Sequence, residues 1–467
     1  MDNLSLLTYF ENIAPKVLRW RRRNRTYHKL LEKYFSFFIP PNARVLEIGC
    51  GIGELLDSVK PIYGVGIDFS QKTIEIAKSK YPHLIFFVQD AARIELNETF
   101  DYIILSDLIG SLWDIQSALE NLKSVCHSKT RIIISSYNYL WESALKTAEN
   151  LNLKLKQPIQ NWLSIQDITN VLSISGFETI RTEKKILLPI YIPILSGFFN
   201  VFLANLPFFR LLTLTNFIIA RPISESVQEY SVSIIIPAKN EKRNIENAIL
   251  RTPPFGKSQE FVFVEGNSID ETYEEMLRVK AKYPFKNIKV IRQSGDGKGD
   301  AVRDGFEAAS GEILIILDAD LTTPPESMPR FYKALQSNKG EFINGCRLVY
   351  QLEKESMRFL NLLANKIFGT ILTFLLGQRL KDTLCGTKVL FRKDYEVISS
   401  NRNFIGNFDP FGDFDLLFGA AKLNLKITEV NVRYKERQYG NVQISRFRHG
   451  WLLLKMTFVA AKKLKFF

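Results

Sequence analysis

The chain has 467 residues, 46% hydrophobic and 24% charged. That balance is ordinary for globular proteins, excludes a disordered or low-complexity chain, and leaves room for two or three cores. The 62 Lys and Arg against 49 Asp and Glu give a formal charge of +13, which favours nucleotides, nucleic acid or an anionic membrane surface as partners.

Four widely spaced cysteines (Cys50, Cys126, Cys346, Cys385) form no CxxC pair, and four histidines form no HExxH. A disulfide scaffold, a zinc ribbon and a histidine-rich metal site are therefore not expected, and a reducing compartment suits the composition. The first residues, MDNLSLLTYFENIAPKV, have no basic run before their short apolar stretch, so no signal peptide is expected.

Along the first half, candidate strands fall at 44–49, 62–67, 84–88, 101–106, 130–135, 177–181 and 214–220. This spacing leaves room for crossover helices and predicts a mostly parallel sheet. Residues 186–209 carry no charge over 24 positions, which meets the length test for a membrane span. Pro189, Pro193 and Pro207 interrupt it, so a buried or interfacial hairpin is expected instead. The polar stretch 221–230 contains Pro222 and marks the domain boundary. The organisation expected is a domain over 1–222, a linker over 223–230, a second domain over 231–450 and a basic amphipathic tail over 451–467. The second half opens with strands at 232–236, 260–264, 288–292 and 312–317, then turns helical near 356–377.

The first strand runs into Glu47-Ile48-Gly49-Cys50-Gly51-Ile52-Gly53. Glycines there permit a tight turn and close approach of a ligand to the backbone. The GxGxG spacing departs from the dinucleotide fingerprint. Asp68 ends the second strand, where a carboxylate can accept both hydroxyls of a ribose. Asp90 follows the third strand, and Asp107 follows the fourth. A glycine turn or a strand-end acid has a plain structural role when it stands alone.

In this order, these residues resemble a class I S-adenosylmethionine-dependent methyltransferase over about 40–220. The resemblance implies an α/β fold with a Rossmann-like, seven-stranded, doubly wound sheet. It places Glu47 near the donor's amino group, with Gly49, Gly51 and Gly53 in the donor loop. Asp68 falls on the ribose, Asp90 on adenine, and Asp107 on the donor side of the pocket. Asp107, His127 and Tyr137 are candidates for the acceptor side, and the methyl acceptor is not legible. An alternative makes this domain a non-catalytic module that binds S-adenosylmethionine or substrate.

The second half carries Pro237-Ala238-Lys239-Asn240-Glu241 after one strand and Glu265-Gly266-Asn267-Ser268 after the next. A glycine-rich loop follows, Gly295 to Gly299, with Lys298 and then Arg303; exposed amides and cations of this kind suit a diphosphate. Asp318-Ala319-Asp320 ends a buried strand, where two carboxylates can share one hard divalent cation with phosphate oxygens.

This order resembles a family 2 glycosyltransferase of the GT-A fold over about 231–448, similar to polyprenyl- and dolichyl-phosphate hexose synthases. The resemblance implies a nucleotide-sugar donor, and a lipid-linked or glycan acceptor. Pro237, Ala238, Glu241 and Glu265 would lie round the base and ribose. Lys298, Arg303 and Arg347 would serve the diphosphate, and Asp318 and Asp320 would hold Mg²⁺ or Mn²⁺. Asp320, Asp382, Asp413 and Asp415 are the candidate catalytic acids. Tyr439 to Phe447 would form a late basic loop. Glu265 replaces the usual first acid, and Thr322 stands where some relatives carry glutamine.

Three features suggest peripheral attachment to the cytoplasmic face of a membrane. They are the cationic run Arg19–Arg25, the apolar stretch 356–381 and the basic end 446–467. No nucleic-acid partner is expected, since no recognised binding motif accompanies the charge.

Overall fold

The computed structural model describes residues 3–156, 160–224, 228–350, 359–402, 412–437, 439 and 446–467. It divides into two compact units, Met1–Ser224 with Phe466, and Glu225–Lys465 with Phe467.

The first unit is a seven-stranded sheet. Its strands are β1 (Arg44–Ile48), β2 (Tyr63–Asp68), β3 (Ile85–Val88), β4 (Phe100–Ser106), β5 (Cys126–Tyr137), β6 (Phe177–Lys185) and β7 (Thr215–Pro222). Their order is β3-β2-β1-β4-β5-β7-β6. β1 pairs in parallel with both β2 and β4, whereas β7 runs antiparallel to β5 and β6. This is the doubly wound sheet that the first resemblance implies. Leu46, Ile48, Ile103, Leu105, Ile132, Ile134 and Ile218 form its core. Strands covered on both faces read as continuous apolar runs, which is why they are legible without alternation.

Two helices precede β1, α1 (Asn3–Arg23) and α2 (Arg25–Phe38). Tyr27, Leu31, Tyr34, Phe35 and Phe38 recur at helical spacing and form the buried face of α2. Tyr34, Phe35 and Phe38 pack their rings against Phe217 of β7.

The second unit has another seven strands. These are β8 (Ser231–Ala238), β9 (Ser258–Glu265), β10 (Asn287–Arg292), β11 (Ile313–Ile316), β12 (Phe342–Cys346), β13 (Lys388–Phe391) and β14 (Ile427–Asn431). Their order is β10-β9-β8-β11-β13-β12-β14. β8 pairs in parallel with β9 and β11, and β13 runs antiparallel to β11 and β12. The core includes Ile234, Ile236, Phe261, Phe263, Ile313, Ile315 and Val389.

In each unit the winding reverses between the first and fourth strands, β1/β4 and β8/β11. A crevice opens at such a point beyond the carboxyl ends of the strands, the usual ligand position in α/β sheets.

The segment 186–214 links β6 to β7 through short helical turns at Leu195–Gly197, Phe198–Phe202, Leu203–Asn205 and Pro207–Leu211. The expected alternative of a buried hairpin does not hold, because Tyr191 is 73% exposed, Ile194 91% and Phe208 69%. Prolines break the chain into pieces too short to pack an internal face. No described helix is long and apolar enough to cross a membrane.

The helix Phe359–Leu376 is mainly a core element. Phe368, Leu372, Leu375 and Leu376 are buried, and Leu363, Lys366, Ile367 and Thr370 are exposed. Arg358 and residues 440–445 of the expected late loop lie outside the described residues.

Candidate functional site

In the first unit, β1 delivers Glu47 and then turns through Gly49, Gly51 and Gly53. All three have positive φ, between +53° and +79°, the region in which glycine avoids a side-chain clash. At Gly51 the backbone N–H donates to Asp68 Oδ2 at 3.0 Å, and Ser70 N–H donates to Asp68 Oδ1 at 3.0 Å. Asp68 is thus aimed across the donor loop, and each oxygen retains a lone pair for a hydroxyl.

Glu47 is 2% exposed, and its Oε2 has no hydrogen-bond partner. Burial pushes its carboxyl up to about 8, against the nearby Arg21. An orphaned buried carboxylate oxygen fits a cationic or hydrogen-bond-donating ligand. Asp90 is exposed and accepts from Ala92 N–H at 2.9 Å, so it also anchors its own turn.

Asp107, with φ +52°, accepts from Tyr27 Oη at 2.7 Å and from Ser135 Oγ at 2.8 Å. Burial raises its carboxyl above the ordinary range. Tyr27 also stacks on Tyr137 with ring centroids 5.9 Å apart. Beside them is a cavity of only about 10 Å³, lined in part by Asp107, Ser136, Tyr137, Gln160 and Asn161. That is room for about one water. His127 lies elsewhere, hydrogen-bonded to Asp101 at 3.2 Å.

Helix α1 supplies partners that the motifs did not indicate. Glu11 accepts from Ser70 Oγ at 2.9 Å, and Arg21 pairs with Glu54 at 2.9 Å. Arg21 therefore serves the donor loop, although its cationic run was expected to face a membrane. No local pattern marks α1 as a site element, since its partners lie more than thirty residues away.

In the second unit, β11 ends at Ile316 and the chain runs on into Asp318 and Asp320. Lys298, the first residue of the helix Lys298–Ala308, pairs with Asp318 Oδ1 at 2.7 Å and lies 3.9 Å from Asp413. Burial alone would raise the Asp318 carboxyl, but Lys298 overrides it and holds it below its ordinary range. A Cβ at Gly386 would collide with both Asp318 and Lys298, so a bare backbone lets this pair form.

Arg437 bridges two strand ends. It donates to Asp320 Oδ2 at 2.9 Å and pairs with Glu241 Oε1 at 3.1 Å. Glu241 also accepts from Asn244 at 2.8 Å, and burial pushes its carboxyl up to about 7. Thr322 donates from its backbone N–H and its hydroxyl to Asp320 Oδ1, at 3.1 and 2.8 Å.

Among the described residues no group of three or more His, Cys, Asp or Glu is arranged for a metal. Two hard carboxylates at i and i+2, both part-exposed, nevertheless fit a divalent cation that takes its remaining ligands from phosphate and water.

Glu265 is 4% exposed and accepts from Ser268 N–H at 2.5 Å, and Pro237 and Ala238 lie beside it at the end of β8. Asn240 N–H donates to Ser268 Oγ at 3.0 Å, tying the two loops together. Tyr439 reaches this rim through Asp270, at 3.3 Å.

Three sequence-derived roles look different in the structure. Arg347 does not reach out for a diphosphate. Its side chain grips Asp382 in two bonds of 2.7 and 2.8 Å, and its backbone N–H adds a third at 2.9 Å. Asp382 is 0% exposed and also accepts from Asn365 at 2.8 Å and Leu384 N–H at 3.1 Å. Burial would raise its carboxyl, but Arg347 holds it at about 2. In this arrangement Asp382 accepts from Arg347, Asn365 and two backbone N–H groups, which ties the strand ends together. Arg303 pairs with Asp300 at 2.8 Å and lies 3.6 Å from Asp415, which is also 3.4 Å from Arg402.

Sequence reasoning also missed Arg437, Asn365 and Tyr434, whose ring faces the Arg347 guanidinium at 4.9 Å. Arg437 sits just before the expected late loop, so the signal fell two residues short.

The glycosyl transferase family 2 model matches residues 233–398, and a methyltransferase domain model matches 19–182. The dolichol-phosphate mannosyltransferase of Pyrococcus furiosus is 33% identical over 177 residues, which cover 36% of this chain and 49% of that protein. The undecaprenyl-phosphate 4-deoxy-4-formamido-L-arabinose transferase of Salmonella paratyphi B is 26% identical over 221 residues, covering 46% and 63%. The chain thus spans about half to two thirds of the length of these curated relatives. Among solved structures, a SAM-dependent methyltransferase from Thermotoga maritima is 17% identical over 46% of this chain and 98% of its own, with TM-score 0.36. Glucosyl-3-phosphoglycerate synthase from Mycobacterium tuberculosis is 16% identical over 50% and 80%, with TM-score 0.38. From its sequence matches and its two sheets, the chain joins a methyltransferase domain to a family 2 glycosyltransferase domain.

Proposed function

We propose that the second unit transfers a hexose from a nucleotide sugar to a polyprenyl-phosphate acceptor, and that the first transfers a methyl group from S-adenosylmethionine. The observation that carries the sugar-transfer reading is the Asp318–Asp320 pair at the end of β11, flanked by Lys298 and Arg437. Asp318 and Asp320 would hold Mg²⁺ or Mn²⁺, which supplies charge neutralisation for a departing nucleoside diphosphate. Lys298 and Arg437 already balance the two carboxylates, and both can swing to phosphate oxygens as the donor enters. Glu241 and Glu265 shape the floor on which the base and ribose would lie. An acceptor phosphate is anionic already and needs no strong base. A hydroxyl acceptor would turn to Asp413, which is 6% exposed, or to Asp415.

The names of the relatives, dolichol-phosphate and undecaprenyl-phosphate transferases, support a lipid-linked acceptor. Adsorption to the cytoplasmic face of a membrane accords with that acceptor, and Trp451, Leu454 and Phe458 form an exposed apolar stripe on the basic tail helix.

In the first unit, Asp68 would take the ribose hydroxyls, Asp90 the adenine, and Glu47 the cationic end of the donor. A second reading, donor binding without transfer, draws on one observation. Asp107 is committed to Tyr27 and Ser135, beside a cavity that holds about one water.

Mass spectrometry of a polyprenyl-phosphate extract, incubated with purified chain, Mn²⁺ and a panel of nucleotide sugars, tests the main reading. The expected result is a lipid gaining one hexose mass. Release of nucleoside diphosphate without a lipid shift would overturn the lipid acceptor.

A further inference from the structure

We infer that the β6–β7 excursion of the methyltransferase unit, residues 186–214, is a membrane-docking element that inserts into the interfacial layer of a lipid bilayer without crossing it.

The surface is strongly apolar. Ile190 is 56% exposed, Tyr191 73%, Ile194 91%, Phe198 50%, Phe202 47% and Phe208 69%. Scattered exposed apolar side chains need no explanation, but a contiguous patch does. No charged residue occurs from 186 to 209. The patch continues onto Tyr139 and Leu140, which are 49% and 54% exposed. Their turn is pinned to the excursion by Trp141 Nε1, which donates to the Leu212 carbonyl at 2.9 Å, and by Asn138, which donates to Leu211 and Thr213 carbonyls.

Side chains within the segment pair several of the polar backbone groups under this surface. Asn200, 3% exposed, accepts from Leu187 and Leu188 N–H at 2.8 and 2.9 Å and donates to the Leu188 carbonyl at 2.8 Å. Ser196 Oγ accepts from Ile192 N–H at 2.6 Å and lies 2.9 Å from the carbonyls of Ile190 and Ile192. Asn205 accepts from Lys185 Nζ at 2.9 Å and donates to the Val201 carbonyl at 2.8 Å. Pro189, Pro193 and Pro207 carry no N–H to satisfy. In water an exposed loop leaves such groups to the solvent. In hydrocarbon every one must be matched within the protein.

Ile194 itself has φ +65°, a costly conformation for a β-branched residue, and its side chain is the most exposed apolar one of the excursion. The short turns are too broken to span a bilayer, which leaves the interfacial depth of a monotopic anchor. Charge complementarity selects lipid over a second copy of the chain. Two copies would each carry +13 and repel, whereas an anionic leaflet attracts. This inference stands apart from the identity of either unit's acceptor.

The test is flotation of the full chain with vesicles of phosphatidylcholine and anionic phosphatidylserine in high salt, where adsorption by surface charge is screened. The wild type is expected in the lipid fraction, and Ile194→Asp/Phe198→Asp is expected to lower its partition about tenfold or more. Unchanged S-adenosylmethionine binding by the variant would show that it folds. An environment-sensitive dye at Ile194→Cys, in a Cys126→Ser background, should shift to the blue on adding vesicles. The same dye at Ile62→Cys, another open position at 72% exposure, should not. Equal flotation of wild type and variant would overturn the proposal. So would a wild type that stays with the aqueous phase as a dimer which the variant splits.

Discussion

The two units set the same frame to opposite tasks. Both are seven-stranded sheets that reverse their winding between the first and fourth strands, and both present acids at the strand ends. In the first unit the acids face backbone amides and hydroxyls. Asp68 is held by two N–H groups, Asp107 by two hydroxyls, and Glu47 keeps an unpaired buried oxygen. Such a site keeps carboxyl oxygens free of any cationic partner and suits a ligand that brings hydrogen-bond donors or a cation to one end. In the second unit four of the acids are cross-linked to cations, Asp318 to Lys298, Asp320 and Glu241 to Arg437, and Asp382 to Arg347. That site is balanced in advance, so an anionic donor and its metal can exchange partners with charges already in place. The difference shows that strand topology chooses where a ligand binds, while the partners of the carboxylates choose its charge.

This contrast can be tested most strongly at Asp382. Replacing it by Asn keeps the shape and leaves the buried Arg347 uncompensated, which should destabilise the second unit by about 3–5 kcal/mol. Denaturant unfolding followed with donor binding to the first unit would check this, since that binding should not change at low denaturant. Next comes Asp320→Asn, expected to lower sugar transfer by about 10²–10³-fold at saturating Mn²⁺, measured as nucleoside diphosphate release. Retained activity would mean that the Arg437-linked acid is structural.

In the first unit, Asp68→Ala should weaken S-adenosylmethionine binding by about 10–100-fold, the loss expected for hydrogen bonds to a charged group, and calorimetry reads this directly. A pH dependence at Glu47 tests the same contrast from the electrostatic side. Its carboxyl lies at about 8 when folded against an ordinary 4.5. Between those values the folded state holds a proton that the unfolded chain lacks, so stability falls as pH rises through this window and levels above it. Glu47→Gln cannot ionise. Its melting temperature should gain on the wild type from about pH 5 to 8, and a gap that does not change with pH would refute the assignment.

Much of this molecule was legible one strand at a time. Buried parallel strands are continuous apolar runs, so β1, β2, β4, β8, β9 and β11 stand out, and the chemistry follows within a few residues of each. Glu47, Asp68, Glu241, Glu265, Asp318 and Asp320 all sit at such ends. Strands β12, β13 and β14 were not anticipated, because they are short and β13 runs antiparallel to both β11 and β12, out of the simple alternating order. Helix α1 was read as a charge run, yet its Glu11 and Arg21 brace the donor loop. Arg303 was assigned to phosphate because it follows a glycine-rich loop, and Arg347 because the family resemblance implied it, but their nearest acids are residues 300, 415 and 382.

By itself, then, the amino-acid sequence determined the two α/β units, the order of their motifs, and which acids reach the strand ends. These depend on local signals, namely apolar runs, glycine turns and neighbouring acids, and they survive without knowledge of distant contacts. Only the tertiary structure decided the partner of each acid, the bridge that Arg437 makes between Glu241 and Asp320, and whether the uncharged 186–209 segment is buried or exposed. Those outcomes depend on residues tens to over a hundred positions apart. No spacing rule reaches so far, because a folded sheet brings side chains together by strand order and not by distance along the chain.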